Sequence, residues 1–203
     1  MNSPSAPLKR SERISLYFSA AIAIAAIAAG GAATVIRLME VAPGHDIPVL
    51  VPLADEQASL PLGPDGAPVT VDVETATVVV ADPAPATLFA LWAQPIAQFL
   101  VITAAMVIAA AFMVRLARGR AFERGTAGLA YAAGAVIVGG WFVDTILTAM
   151  TTNGAMSATS DYTYDAALFE VTLGPVIAVL VIAAVGVALQ IGERLQRETE
   201  GLV

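Results

Sequence analysis

The sequence predicts an all-α integral membrane protein, a four-transmembrane-helix bundle with a small extracytoplasmic β-element after the first helix. Three observations predict it. Hydrophobic residues make up 58% of the 203 positions and charged residues only 13%, against roughly 45–50% and 25% in an ordinary soluble domain. Four charge-poor runs are each long enough to cross ~30 Å of hydrocarbon, which takes about 20 helical residues. Nine of the ten Lys and Arg fall in segments that four crossings place on one side.

Residues 1–13 form a basic tail carrying Lys9, Arg10 and Arg13. The first helix is expected over 14–39, built on the uncharged run Ile14 to Ile36. Its basic start resembles a signal peptide, but the run exceeds a typical h-region. Removing it would also put the later Arg cluster and the C-terminal tail on opposite faces. We therefore read it as a retained helix.

Residues 40–94 form an extracytoplasmic, β-textured loop and an interfacial segment. Eight of the twelve prolines fall between Glu40 and Pro85, which forbids a long helix there. Val69, Val71 and Val73 alternate with Thr70, Asp72 and Glu74, the pattern of a half-buried strand. Ile47 to Leu53 is a second β-branched stretch, and Gly63-Pro64-Asp65-Gly66 is a turn signal between them. Two or three strands are expected. The stretch from Ala86 to Gln94, with Trp92, reads either as an interfacial helix or as part of a Pro-kinked second helix.

The second helix is expected over 95–115, with Pro95 in its first turn where the missing N–H matters least. Residues 116–126 make a short cationic connection. The third helix is expected over 127–150. Residues 151–169, with Asn153-Gly154, Tyr162 and Tyr164, read as an irregular outer loop. The fourth helix covers 170–192, and the tail 193–203 extends it as a helix.

Charge fixes the orientation. One side holds nine bases against five acids, a balance of +4, and the other holds one base against twelve acids, −11; together these give the net -7. By the positive-inside rule the basic side, with both termini, is cytoplasmic. The acidic balance argues against direct nucleic-acid binding. With no Cys and a single His, His45, no thiolate chemistry, cysteine metal site or catalytic triad is expected. The inferred catalytic set, metal set and cofactor set are each empty, and an enzyme is not expected.

Two groups of residues stand out. Asp144 lies inside the third apolar run, where an acid costs about 2.5–3.5 kcal/mol on insertion scales and usually faces the bundle interior. Arg37 and Glu170 lie at comparable depth, so an intramembrane charge cluster of Arg37, Asp144 and Glu170 is expected, built on an Arg37–Asp144 ion pair. The second group faces the cytoplasm. Arg115, Arg118, Arg120, Phe122 and Arg124 in the connection, with Arg194, Leu195 and Arg197 in the tail, form a candidate contact for lipid phosphate or a protein partner.

The connection and the tail also carry a resemblance. Gly119-Arg-Ala-Phe122 followed by Leu129 is similar to a Gly-x-Pro-Phe … Leu loop between spans two and three of one family, with Ala121 standing where that family usually has Pro. The ending Ile191-Gly-Glu-Arg-Leu-Gln-Arg-Glu-Thr-Glu-Gly-Leu-Val203 resembles the same family's tail. The family is the bacterial four-span "domain of unknown function 2975" proteins. The resemblance implies a bacterial plasma-membrane protein of no established activity, with a sizeable β-textured loop after span one. It also suggests a partner such as a helix-turn-helix regulator.

The expected function is that of a non-enzymatic regulatory or accessory protein in the lipid bilayer, contacting a cytoplasmic partner. Two alternatives stand beside it. One is an accessory subunit of a larger membrane complex. The other is a small transporter or channel component using Asp144 and Glu170.

Overall fold

The structure is a computed structural model that describes residues 9–118, 125–161, 163 and 173–200. Among the described residues the order is α1 (Arg10–Val41), β1 (Ile47–Leu60), a short turn of 3-10 type (Pro64–Gly66), β2 (Val69–Val80), α2 (Pro85–Ala117), α3 (Thr126–Thr159) and α4 (Gly174–Glu200). Each helix contains a stretch long and apolar enough to cross a membrane. At about 1.5 Å per residue, the first three are each roughly 50 Å long.

The start of α1 is fixed locally. Glu12 reaches back so that its carboxylate accepts the Lys9 backbone N–H at 2.9 Å, half of a capping box that also places an anion at the helix N-terminus.

Three boundaries differ from the sequence reading. First, of the two readings of the stretch before Pro95, the structure has the one that joins it to the second helix, so it is not an interfacial helix of its own. It is the opening of α2, which contains Pro95 in its interior. Proline brings no N–H, so the Leu91 carbonyl, one turn earlier, receives no backbone donor from position 95. Second, 151–159 is helix rather than irregular loop. Its polar side chains turn back onto their own helix: Thr152 Oγ1 donates to the Thr148 carbonyl at 2.8 Å, Asn153 Nδ2 to Ala149 at 2.8 Å and Thr159 Oγ1 to Ala155 at 2.8 Å. A Thr- and Asn-rich stretch can therefore stay helical among apolar neighbours, because its donors are satisfied internally. Third, α1 runs several residues beyond 14–39 at its start. The fourth helix begins at Gly174 among the described residues, since 164–172 lie outside them.

The chain divides into two compact units. One comprises Met1–Val35, Ile96–Val143 and Thr172–Val203. Here the helices meet through small residues. A Cβ on Gly31 would stand 3.4 Å from the Phe99 ring, one on Gly140 would stand 2.5 Å from Val101, and one on Gly186 would stand 3.4 Å from the Tyr131 ring. Glycine at these positions lets backbones approach while a larger side chain from the neighbour fills the notch. Gly30 and Gly134 likewise face Phe99 and Ile182.

The other unit comprises Ile36–Pro95 and Asp144–Val171. Its sheet has two antiparallel strands, β1 and β2. Ile47 pairs with Val80 at the base and Leu60 with Val69 at the tip, with a register shift between Pro52 and Glu56. The turn uses left-handed backbone at Asp65 (φ 57°) and Gly66 (φ 78°), a conformation glycine adopts without steric cost. The core of this unit is Val41, Ile47, Val49, Val51, Val80, Leu91 and Ala155, each no more than 3% exposed. One face of the hairpin base thus rests on the ends of α1, α2 and α3, which supply the second layer that a lone ribbon lacks.

Candidate functional site

Arg37 stands near the end of α1, where the helix hands over to the hairpin. Its Nη1 donates to Glu40 Oε2 at 2.7 Å and its Nη2 to the Pro48 carbonyl at 2.9 Å. The guanidinium is a planar fork with several donors, so one side chain can serve both partners. Both were missed in the sequence. Glu40 is three residues on, a spacing that places it on the same helix face. The Pro48 carbonyl becomes reachable only once β1 folds back over α1. Asp144 sits half-buried in α3 and is not without a partner. Glu170 lies outside the described residues.

A polar clasp joins α2 to α3 in the same unit. Gln94 Nε2 donates to Thr148 Oγ1 at 2.9 Å, and Thr151 Oγ1 lies 3.4 Å from Gln94 Oε1. One turn further out, Gly154 faces Thr87 so closely that no Cβ fits. Thr87, Thr151 and Thr152 are buried. The residues were visible as polar interruptions in apolar runs, but their pairing depended on α3 continuing past Met150.

The other site candidates belong to the first unit. Arg115 is half-buried near the end of α2, its guanidinium close to Gly125 at the start of α3. Arg118 is exposed at the end of the described segment. Arg120, Phe122 and Arg124 lie outside the described residues, as does the side chain of Arg197. On α4, Arg194 Nε donates to Glu198 Oε1 at 2.8 Å, and both are exposed. Ile191 and Leu195, one turn apart, are 55% and 57% exposed. Gln190, Ile191, Arg194 and Glu198 line an open groove of about 520 Å³.

One acid on this helix has a role the sequence reading did not assign. Glu193 is only 8% exposed, and its Oε1 accepts the Ala127 backbone N–H at 3.4 Å. The first N–H groups of a helix have no intrahelical acceptor, and a carboxylate satisfies them and offsets the helix dipole. Glu193 therefore caps α3 from the neighbouring helix, next to the fully buried Thr126. The capping signal was split between positions 126 and 193, which no local pattern connects.

Among the described residues no group of three or more His, Asp or Glu side chains is arranged to hold a metal ion. His45 pairs with its neighbour Asp46 at 3.1 Å on the surface. Comparison with protein-family models, with curated proteins and with solved structures finds no match to this chain.

Proposed function

We propose that the chain is a multi-pass integral membrane protein that acts as a non-enzymatic regulatory or accessory factor. In this reading α1 to α4 cross the plasma membrane of a bacterium. Both termini and the 116–126 connection face the cytoplasm, and the hairpin faces outward. Exposure supports the membrane placement. In the most apolar stretch of each helix no more than 11% of the residues are buried, far more open apolar surface than a soluble monomer carries. The charge partition of +4 and −11 supports the orientation.

The inner end of α4 carries the functional part of the proposal. The helix continues past Glu193 to Glu200, and on either side of Glu193 it presents Ile191 and Leu195 beside the Arg194–Glu198 pair. An apolar pair flanked by charges suits a helix-in-groove contact with a soluble protein. By family resemblance alone, that partner is a helix-turn-helix regulator.

Because the chain has no Cys, single cysteines test the orientation on a clean background. Ser59→Cys should react with a membrane-impermeant maleimide in intact cells, and Arg10→Cys only after permeabilisation; the reverse pattern sinks the topology. The partner reading is tested by affinity capture from solubilised membranes. Leu195→Ser should release a specific soluble partner that the parent chain retains, and retention by both would refute that contact.

A second reading, a small transporter or channel component, is favoured by the half-buried Asp144 within an apolar helix. Ion flux in liposomes that is unchanged by Asp144→Asn would remove it.

A further inference from the structure

The hairpin carries apolar side chains on both faces: at its base one face is buried against the helix ends, while on the other Leu50, Leu60, Val69 and Val79 are exposed and Val71 and Val73 are half-buried. β2 runs uninterrupted from Val69 to Val80, so its side chains alternate strictly between faces. Val78 and Val80 point to the face that meets the helix ends. Val69, Val71, Val73 and Val79 belong to the opposite face. The strand pairing adds β1 residues to that outer stripe: Leu50 opposite Thr77, Ala58 opposite Val71 and Leu60 opposite Val69. Across the register shift between Pro52 and Glu56, β1 takes up two extra residues, so the same alternate set, Leu50, Glu56, Ala58 and Leu60, keeps this face. Leu50 and Val79 are 63% and 58% exposed. Toward the tip the reverse face is no longer covered: Gln57, Ser59, Thr70, Asp72 and Glu74 are exposed. The reverse face there is polar, with Gln57 Nε2 donating to Asp72 Oδ1 at 2.9 Å and with Ser59, Thr70 and Glu74 beside them.

We propose that this outer stripe is an interface between two copies of the chain, packed ribbon against ribbon. Charge selects the occupant. The segment 41–84 contains seven acids and no Lys or Arg. Contact between two copies through their polar faces would therefore set carboxylate against carboxylate. The stripe avoids this, since Glu56, paired with Val73, is the one charged residue on it among the described side chains. A basic partner would be drawn to the reverse face instead, where Asp72 and Glu74 lie. A second ribbon of the same length and alternation also provides the missing layer of a small sheet sandwich.

Size sets the strength. A face about 40 Å long and about 10 Å wide gives roughly 400 Å² per copy, half of what a standard interface in solution buries on each side. Two copies confined to one bilayer, with their hairpins on the same side, meet at a raised effective concentration. That last step rests on the membrane placement proposed above.

Single cysteines in the full-length chain, reconstituted in bilayers and oxidised, test the interface. Disulfide-linked dimers should form from Val69→Cys, Val71→Cys or Val73→Cys and not from Thr70→Cys or Asp72→Cys. Equal cross-linking on both faces, or none on the stripe, overturns the proposal. In lipid nanodiscs, Val71→Arg should shift the native mass from dimer to monomer, with helical circular dichroism retained, while Asp72→Arg stays dimeric. A parent chain of monomer mass, or a Val71→Arg chain of dimer mass, also overturns it. Labelling of Ser59→Cys in the same preparation reads the placement separately, so a failed cross-link with normal labelling condemns the interface and not the topology.

Discussion

At the scale of single residues, two positions control how α1, α2 and α3 end. Gly154 and Thr87 meet with no room for a side chain between them. Alanine at 154 gains about 1 kcal/mol of helix propensity, but overpacking costs about 1–3 kcal/mol. Because the conflict reaches the Thr87 Cβ and not only its tip, packing decides the sign. Gly154→Ala should lower the thermal midpoint in detergent, Gly154→Val should lower it further, and Thr87→Ala should restore part of the loss in the alanine variant. Arg37 is the second control point. Its pair with the half-exposed Glu40 is worth about 0–1 kcal/mol, while its bond to the Pro48 carbonyl ties helix to hairpin, and a charged hydrogen bond contributes about 1.5–3 kcal/mol. Limited proteolysis of the hairpin should therefore accelerate markedly in Arg37→Ala and only slightly in Glu40→Gln; equal acceleration would contradict this division. The importance of Arg37 was legible as a lone cation between the basic segments, and Glu40 was within reach of a helix-spacing argument. Pro48 was not, because a backbone carbonyl eleven residues away leaves no trace in residue type.

At the scale of elements, the hairpin shows how far alternation carries a prediction. The Val69–Val73 alternation correctly announced a strand, and the Gly63–Gly66 signal correctly announced its turn. Which face would be covered did not follow, because β2 carries valines on both faces and only the helix ends distinguish them. Two residues three positions apart in β1 should respond very differently. Ile47→Ala opens the core and should cost about 2–5 kcal/mol. Leu50→Ala, on the exposed face, should stay within about 0.5 kcal/mol in a monomeric preparation. Denaturant titration followed by hairpin amide exchange reads both. The last turns of α3 were misread for a related reason. Thr, Asn and Gly are turn formers by composition, but here the hydroxyls and the amide bond back to their own helix and the glycine serves as a packing notch. The Glu193 cap on α3 eluded sequence reasoning because its donor and acceptor belong to different helices.

At the scale of the whole molecule, four apolar helices and their order were fully legible, since uncharged runs of this length have few alternatives. A lipid-borne photolabel should mark Leu100, Val107, Leu180 and Val181, all exposed on apolar helices, and leave Leu50 unmarked although it is equally exposed; uniform labelling would contradict the assignment of the hairpin to water. The core beneath the hairpin also has a consequence in time. Ile47 and Val51 share it with Ala155 and Met156, about a hundred residues later in the chain, a separation that makes contact formation slow. During synthesis the two strands emerge first and must wait for the third helix before their inner valines are covered. Until then the hairpin is an apolar ribbon with open edges, open to proteases and to mispairing with other nascent chains. The seven carboxylates along it are therefore positioned to act before the fold exists, keeping a half-made protein soluble and apart from its siblings while its last supporting helix is still on the way.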